Sequence, residues 1–372
     1  MIKTVLIIGG AGFIGSHLAD ELIAHGYEVR VFDSLLQQVH GERRAWPDYL
    51  SPRAQFVAGD VRDPAQVRRA LQDVDAVFHF AAMVGVGQSM YQVTDYVSVN
   101  DLGTAVLLQA LIEKPVERLV VASSMSIYGE GLYRDAKGQL VERCSRTPAE
   151  TGQGRWDLQD ETGAPLTPVP TPESKRPELA SVYALSKYVQ ERMSLMIGAA
   201  YDIPTVAMRF FNVYGTRQAL SNPYTGVLAI FASRLLNDRR PMVFEDGRQR
   251  RDFVHVSDVA RACRLAMESP AAAGQVFNVG SGRSISIAEI GEKLARVMEK
   301  HALGPEITNR YRVGDIRHCF ADISLARERL GFEPRIDFEQ GLAELVSWLK
   351  LQEAEDGTDR AAEELVRRRL MA

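Results

Sequence analysis

The sequence predicts a doubly wound α/β fold, a parallel sheet with helices on both faces, and beside it a smaller α+β region. Three observations carry that expectation. Short apolar runs alternate with helical patterns from Val5 to Arg209, a glycine-rich turn joins the first run to the first helix, and the alternation weakens after Gly215. Such alternation marks parallel strands joined by crossover helices.

The first strand spans Val5 to Ile8, and a helix from Gly12 to about His25 leads into a second strand at Val29 to Phe32. Gln55 to Val57 forms a third strand, a helix lies near Ala65 to Leu71, and Ala76 to Phe80 forms a fourth. Helix Asp101 to Ile112 precedes strand Leu119 to Ala122; after a gap, helix Ser181 to about Ala200 and strand Thr205 to Arg209 resume the pattern. The gap, about 130–180, carries Pro148, Pro165, Pro168, Pro170, Pro172 and Pro177, a density that stops helices and central strands alike. It is a lid, an oligomer contact or a solvated insert. Residues 1–205 are thus expected to form one domain with this insert. Residues 206–350 mainly form a second, containing Gln275 to Val279 and helices Ile287 to Lys300 and Phe338 to Leu349, with some segments returning to the first. Residues 351–372 are mostly charged residues and alanine, and read as a solvated or frayed terminal helix.

Composition narrows the function classes. A chain of 372 residues with 46% hydrophobic and 25% charged residues can bury a large core, and no apolar run is long enough to cross a bilayer. A net charge of −4 offers no positive field for nucleic acid or anionic lipid, so a small-molecule partner is expected, with no nucleic acid and no membrane. Cys144, Cys263 and Cys319 lie far apart and form no C-x-x-C, which suggests neither a disulfide framework nor a metal site and fits the cytoplasm.

Gly10, Gly12 and Gly15 stand in G-x-G-x-x-G spacing, with Gly9 in front, between the first strand and the first helix. Asp33 follows 18 positions beyond Gly15, at the end of the second strand. Glycines let backbone close on a pyrophosphate at the positive end of the helix, and the carboxylate binds ribose hydroxyls, a Rossmann-type dinucleotide signature. A carboxylate there repels a 2′-phosphate, so NAD is favoured over NADP. Asp60 and Val61, after the third strand, either sit at the adenine or merely end a turn.

Tyr183 and Lys187 form Y-x-x-x-K on one face of a helix, and Ser123 and Ser124 end a parallel strand, at the edge where doubly wound folds hold ligands. A tyrosine titrates near pH 10, at about the ordinary phenol value, and a nearby cation lowers it toward the range of a general base. Lys187 is expected to supply that charge.

G-G-A-G-F-I-G, the Asp60-Val61 pair, F-A-A at Phe80 to Ala82, S-S-M-S-I-Y-G at Ser123 to Gly129, Y-A-L-S-K, R-F-F-N-V-Y-G at Arg209 to Gly215 and R-D-F-V-H-V at Arg251 to Val256 together resemble the NAD-dependent epimerase/dehydratase family of extended short-chain dehydrogenases/reductases. The resemblance spans about residues 3–345. It implies a Rossmann-type NAD domain followed by a nucleotide-sugar domain, bound NAD as cofactor, and a homodimer built through helices near 101–113 and 181–200. It implies NAD contacts from Gly9, Gly12, Phe13, Ile14, Gly15, Asp33, Asp60, Val61, Phe80, Ala81, Ala82, Asn100, Ser123, Tyr183, Lys187 and Phe210. It assigns catalysis to Ser124, Tyr183 and Lys187, and substrate contacts to Ser124, Ser126, Asn212, Arg251, Arg312 and Asp315. Arg248 and Arg250 neighbour Arg251, and only one need point inward. His79 and His255 receive no role.

The same family contains dehydratases, decarboxylases and reductases. Its dehydratases carry an Asp-Glu pair after the catalytic serine or threonine and its decarboxylases a glutamate; this chain has Met125 and Ser126, which disfavours both. A reductase often uses NADPH, against which Asp33 argues. Epimerisation at C4 through a keto-sugar is the leading expectation, and the proline-rich insert resembles that of a subgroup acting on dTDP-6-deoxyhexoses, with UDP-hexoses as the other substrate class.

Overall fold

The computed structural model describes all residues except 1, 42–44, 143, 144, 221, 223–225, 313, 353–355 and 372; Cys144 therefore lies outside the described residues. Seven parallel strands form the main sheet: β1 (Thr4–Ile8), β2 (Glu28–Asp33), β3 (Gln55–Ala58), β4 (Ala76–His79), β5 (Arg118–Ser124), β6 (Thr205–Phe210) and β7 (Val276–Val279). Their order is β7-β6-β5-β4-β1-β2-β3. The order in which strands are added reverses between β1 and β4, and a crevice opens there beyond the carboxyl ends of the strands, the place where such sheets bind ligands. The central strands have no solvent face: Val5, Leu6 and Ile7 are fully buried, which is why they read as unbroken apolar runs.

Helices α1 (Phe13–Ala24), α2 (Pro64–Ala70), α3 (Gly103–Glu113), α4 (Val182–Ala200), α5 (Val227–Leu236), α6 (Val256–Glu268), α7 (Ile287–Val297), α8 (Phe338–Leu349) and α9 (Thr358–Arg367) complete the frame. On one face of the sheet Leu18 and Leu22 of α1 meet Val259, Cys263 and Ala266 of α6. On the other, Leu107 and Leu111 of α3 cover Leu6, Ile8 and Val77. Helices α5, α7 and α8 form a separate core around Phe231, Leu294 and Leu345.

Three segments differ from the sequence reading. Val276–Val279, read with the smaller region, pairs in parallel with β6 and is the seventh strand of the main sheet. The proline-rich insert holds a three-stranded antiparallel sheet, Leu132–Arg134, Leu140–Val141 and Thr167–Val169. Pro168 sits on its edge strand, where a missing N–H costs no ladder bond. The insert is clamped by charge: Glu130 accepts the Arg317 and His318 N–H groups at 2.7 and 3.2 Å, and the fully buried Arg317 reaches Asp157, Glu245 and Asp246. The C-terminal stretch is not solvated along its length, because α9 buries Ala361, Ala362 and Leu365. Alternation of charge with alanine masks a helix having one narrow apolar stripe.

Candidate active site

A cavity of about 1220 Å³ runs along the crevice. Its first half is built by the turn from β1 into α1. Gly9 has φ of +82°, and a Cβ there would meet the Ala81 nitrogen at 2.7 Å; a Cβ on Gly15 would lie 2.4 Å from the Gly9 carbonyl oxygen. Side chains are therefore excluded at both positions, and the first turn of α1, whose N-cap Gly12 contributes no side-chain cap, presents bare N–H groups to the cavity. Gly9, Gly12, Phe13, Ile14 and Gly15 line it. Asp33, at the tip of β2, accepts the Ala11 and Leu35 N–H groups at 3.0 and 2.9 Å and faces the same space. His40 Nε2 lies 3.8 Å from Asp33 Oδ1. Asp60 and Val61 line the cavity as well, but the Asp60 carboxylate is forked by Arg62, which the sequence reading passed over. An open helix end, a cradle that only glycine permits and an acidic strand tip together suit a dinucleotide such as NAD.

Phe80, Ala81, Ala82 and Phe210 form the apolar floor, with the rings of Phe80 and Phe210 edge to face at 5.8 Å. Ser123 reaches the cavity only at its margin, since its hydroxyl donates to Glu191 at 2.6 Å. Asn100 is the one expected cofactor residue that does not line the cavity. It is fully buried in a π-helical turn, Val97–Leu102, where its amide bonds the Met83 backbone at 2.7 and 3.1 Å and Ser186 Oγ at 2.9 Å. Its work is to fix the 83–84 backbone beside the catalytic helix.

The expected Ser-Tyr-Lys set comes from β5 and α4. Ser181 caps α4 by accepting the Ala184 N–H at 3.1 Å, and Ser89 Oγ accepts the Tyr183 N–H at 3.0 Å. The Tyr183 ring packs edge-on to Tyr96, 6.4 Å between centroids. Ser124 Oγ is 2.8 Å from Ser126 Oγ, so the two hydroxyls form one polar spot beside Met125.

Burial dominates the electrostatics there. Burial raises the Tyr183 phenol above its ordinary value, and the Ser124 hydroxyl acts in the opposite direction. Lys187 lies one turn further along the same helix. Its ammonium donates to Gln190 Oε1 at 2.7 Å, and burial lowers its own pKa to about 7, with Glu191 pulling the other way. Gln190 in turn donates to Thr104 at 2.8 Å and lies 3.2 Å from His79 Nε2. Burial drives His79 down to about 3, so it stays neutral inside this chain of hydrogen bonds.

The second half of the cavity is polar. Of Arg248, Arg250 and Arg251 only Arg251 lines it; its guanidinium is held by the Arg317 carbonyl at 3.0 Å and by the Ile316 carbonyl. Arg312 donates to Asp315 at 2.9 and 3.1 Å. Burial pushes the Asp315 carboxyl up, but Arg312, Arg251 and Arg146 outweigh it and hold the group below the usual range. Asp252, next to Arg251, is fully buried and accepts N–H bonds from Ser281, Gly282 and Ala321, which locks the strand carrying Arg251. Asn212 lines the same end with its Oδ1 buried and unpartnered, and Gln249 Oε1 is in the same state, a contact the sequence reading missed. Pairing a buried acceptor usually requires a ligand donor or water.

The chain matches the model of the NAD dependent epimerase/dehydratase family over residues 5–151 and 160–280. It is 33% identical over 354 residues to dTDP-L-rhamnose 4-epimerase of Burkholderia thailandensis, covering 93% of this chain and 95% of that protein. Among solved structures, UDP-N-acetylglucosamine 4-epimerase from Methanobrevibacter ruminantium, in complex with UDP-N-acetylmuramic acid, superposes with a TM-score of 0.77 at 30% identity, covering 94% of this chain and 99% of that one. Thermus thermophilus UDP-glucose 4-epimerase, in complex with NAD, superposes with a TM-score of 0.71 at 30% identity over 94% and 99% of the two chains. A glycine cradle, a Ser-Tyr-Lys set and a matching chain over nine-tenths of its length lead to one conclusion: the protein belongs to the NAD-dependent epimerase/dehydratase family.

Proposed function

We propose that this enzyme inverts C4 of a nucleotide sugar with NAD as its cofactor. The observation that carries the reading is the Ser124-Ser126 hydroxyl pair beside Tyr183, in a wall where Met125 replaces any carboxyl group. NAD, which Gly9, Gly12 and Asp33 would hold, would supply reversible hydride transfer at C4. The protein's part is proton handling and restraint. Ser124 orients the C4 hydroxyl, Tyr183 takes its proton and later gives it back, and Lys187 with Gln190 holds the far side of the tyrosine helix. Arg251 and Arg312 grip the diphosphate, and Asn212 and Asp315 bind the adjoining polar groups. Elimination of water or loss of carbon dioxide needs an acid or base at the sugar's outer carbons; Met125 and Ser126 provide none at neutral pH. Run in deuterated water, the reaction should yield a C4-inverted product with no deuterium on carbon, because the hydride never exchanges. Deuterium at C5 would instead mean elimination or decarboxylation chemistry.

Asp33 selects the cofactor. Asp33→Ser should narrow the preference for NAD over NADP by roughly tenfold or more, since the carboxylate repels a 2′-phosphate at short range. Competitive titration of the two dinucleotides measures the ratio, and an unchanged ratio removes Asp33 from that role.

The reading includes a dTDP-6-deoxyhexose or a UDP-hexose as substrate and a homodimer. Val97 and Leu102, leading into α3, and Leu185 and Met196 of α4 are 43%, 52%, 48% and 58% exposed, an apolar face that a second copy would cover. We place the protein in the cytoplasm, a reducing compartment in keeping with the free, buried thiols of Cys263 and Cys319; no described helix is long and apolar enough to cross a membrane.

A further inference from the structure

The C-terminal segment 356–371 has no part in the chemistry above, yet it forms a wall of the same cavity, through Ala361, Ala362, Leu365 and Met371. It is fastened along its whole length. At its start Asp359 pairs with Arg234 and Arg239, both at 2.8 Å, and Asp356 with the same two at 3.5 and 3.3 Å. The Arg234 and Asp356 side chains are 8% and 4% exposed, so the inner part of this anchor is shielded from solvent, while Asp359 and Arg239 are half exposed. Midway, Leu365 lies against Gly87, where a Cβ would sit 3.1 Å from its side chain. At its end Arg368 covers the Tyr91 ring at 4.2 Å, and Met371 forms an antiparallel bridge with Arg312.

Those contacts join two rims of the cavity. The 84–91 rim supports the catalytic tyrosine: Ser89 holds the Tyr183 N–H, and the Tyr96 hydroxyl donates to the Val84 and Gly85 carbonyls at 2.7 and 2.9 Å. The opposite rim carries Arg312 and Asp315. A segment that touches both spans the mouth above the space between tyrosine and arginine, which is the place of the sugar.

We propose that residues 356–371 form a strap that closes the sugar end of the cavity, with Leu365 as its seat, and retains the sugar while it is a ketone. The proposal rests on the epimerase reading. Oxidation at C4 breaks the C–H bond, sends its electron pair as hydride to NAD and the hydroxyl proton to Tyr183; the ketone then has no covalent tie to the protein. Each ketone that escapes leaves one reduced cofactor behind and one keto-sugar in solution, so retention is needed on every turnover. An apolar cover that excludes water slows that escape.

Leu365→Glu unseats the strap at Gly87, and the double change Asp356→Asn with Asp359→Asn loosens its anchor without altering the tyrosine side of the cavity. In both full-length variants, checked for unchanged melting, KM should rise and reduced cofactor should build up roughly tenfold faster per turnover, with kcat changed far less. Keto-sugar should appear in solution by NMR. Unchanged KM and unchanged cofactor oxidation state in both variants overturn the strap. A second readout stands apart from turnover: dTDP or UDP should protect the 356–371 segment of the wild-type chain from limited proteolysis. If no nucleotide sugar is turned over, the epimerase reading fails, and the proteolysis decides the strap, protection supporting it and equal cleavage rejecting it.

Discussion

Tyr183→Phe should lower turnover by about a thousandfold, within the range of a positioned general base, while NAD stays bound. The change removes one hydroxyl from a ring that remains packed on Tyr96, so fold and cofactor retention should be unaffected. The expected loss does not depend on a permanently acidic phenol. Burial holds the Tyr183 pKa up, and the Ser124 hydroxyl acts in the opposite direction. Cofactor released on denaturation, assayed beside product formation, checks both halves. A variant that keeps more than about a tenth of its activity lies outside the general-base range and removes Tyr183 as the base.

Arg209→Ala should destabilise the fold by about 3–5 kcal/mol, the usual cost of breaking a buried ion pair from one side. Arg209 forks Glu191 at 2.7 and 2.9 Å, and also donates to Tyr128 at 2.8 Å and the Glu173 carbonyl at 3.0 Å. Without it the Glu191 carboxylate, fully buried in α4, keeps only the Ser123 hydroxyl. Strand β5, strand β6, the catalytic helix and the insert meet at this one cation, so their unfolding should remain a single transition at lower denaturant. A loss under about 1 kcal/mol, small against the burial of a lone charge, would show that the cluster is not fastening them.

Much of this was legible in the chain. Strand and helix positions followed from apolar periodicity because a parallel sheet buries both faces of its strands, and Gly9, Gly15 and Asp33 pointed to a dinucleotide because their spacing serves a steric need that few other residues meet. What stayed hidden depends on partners distant in sequence. Asn100 reads as a contact residue until its amide is seen to be used up by Met83 and Ser186. Lys187 reads as a cation, but its hydrogen bond to Gln190 and its burial show only in the structure. Arg62 and Gln249 stand in no motif, and the strap looks like a charged tail because its apolar stripe is only Ala361, Ala362 and Leu365 wide. The insert's proline density was visible, but the Arg317 cluster that fastens it joins residues 130, 157, 245 and 246, a convergence no local pattern encodes.

The most direct measurement is to incubate the purified protein, with no added cofactor, with a panel of UDP-, dTDP-, GDP- and CDP-sugars and to follow stereochemistry by NMR. A C4-inverted sugar formed without accumulation of NADH is the predicted result. A keto-sugar as the stable product, or turnover only when NADH or NADPH is supplied, would contradict it.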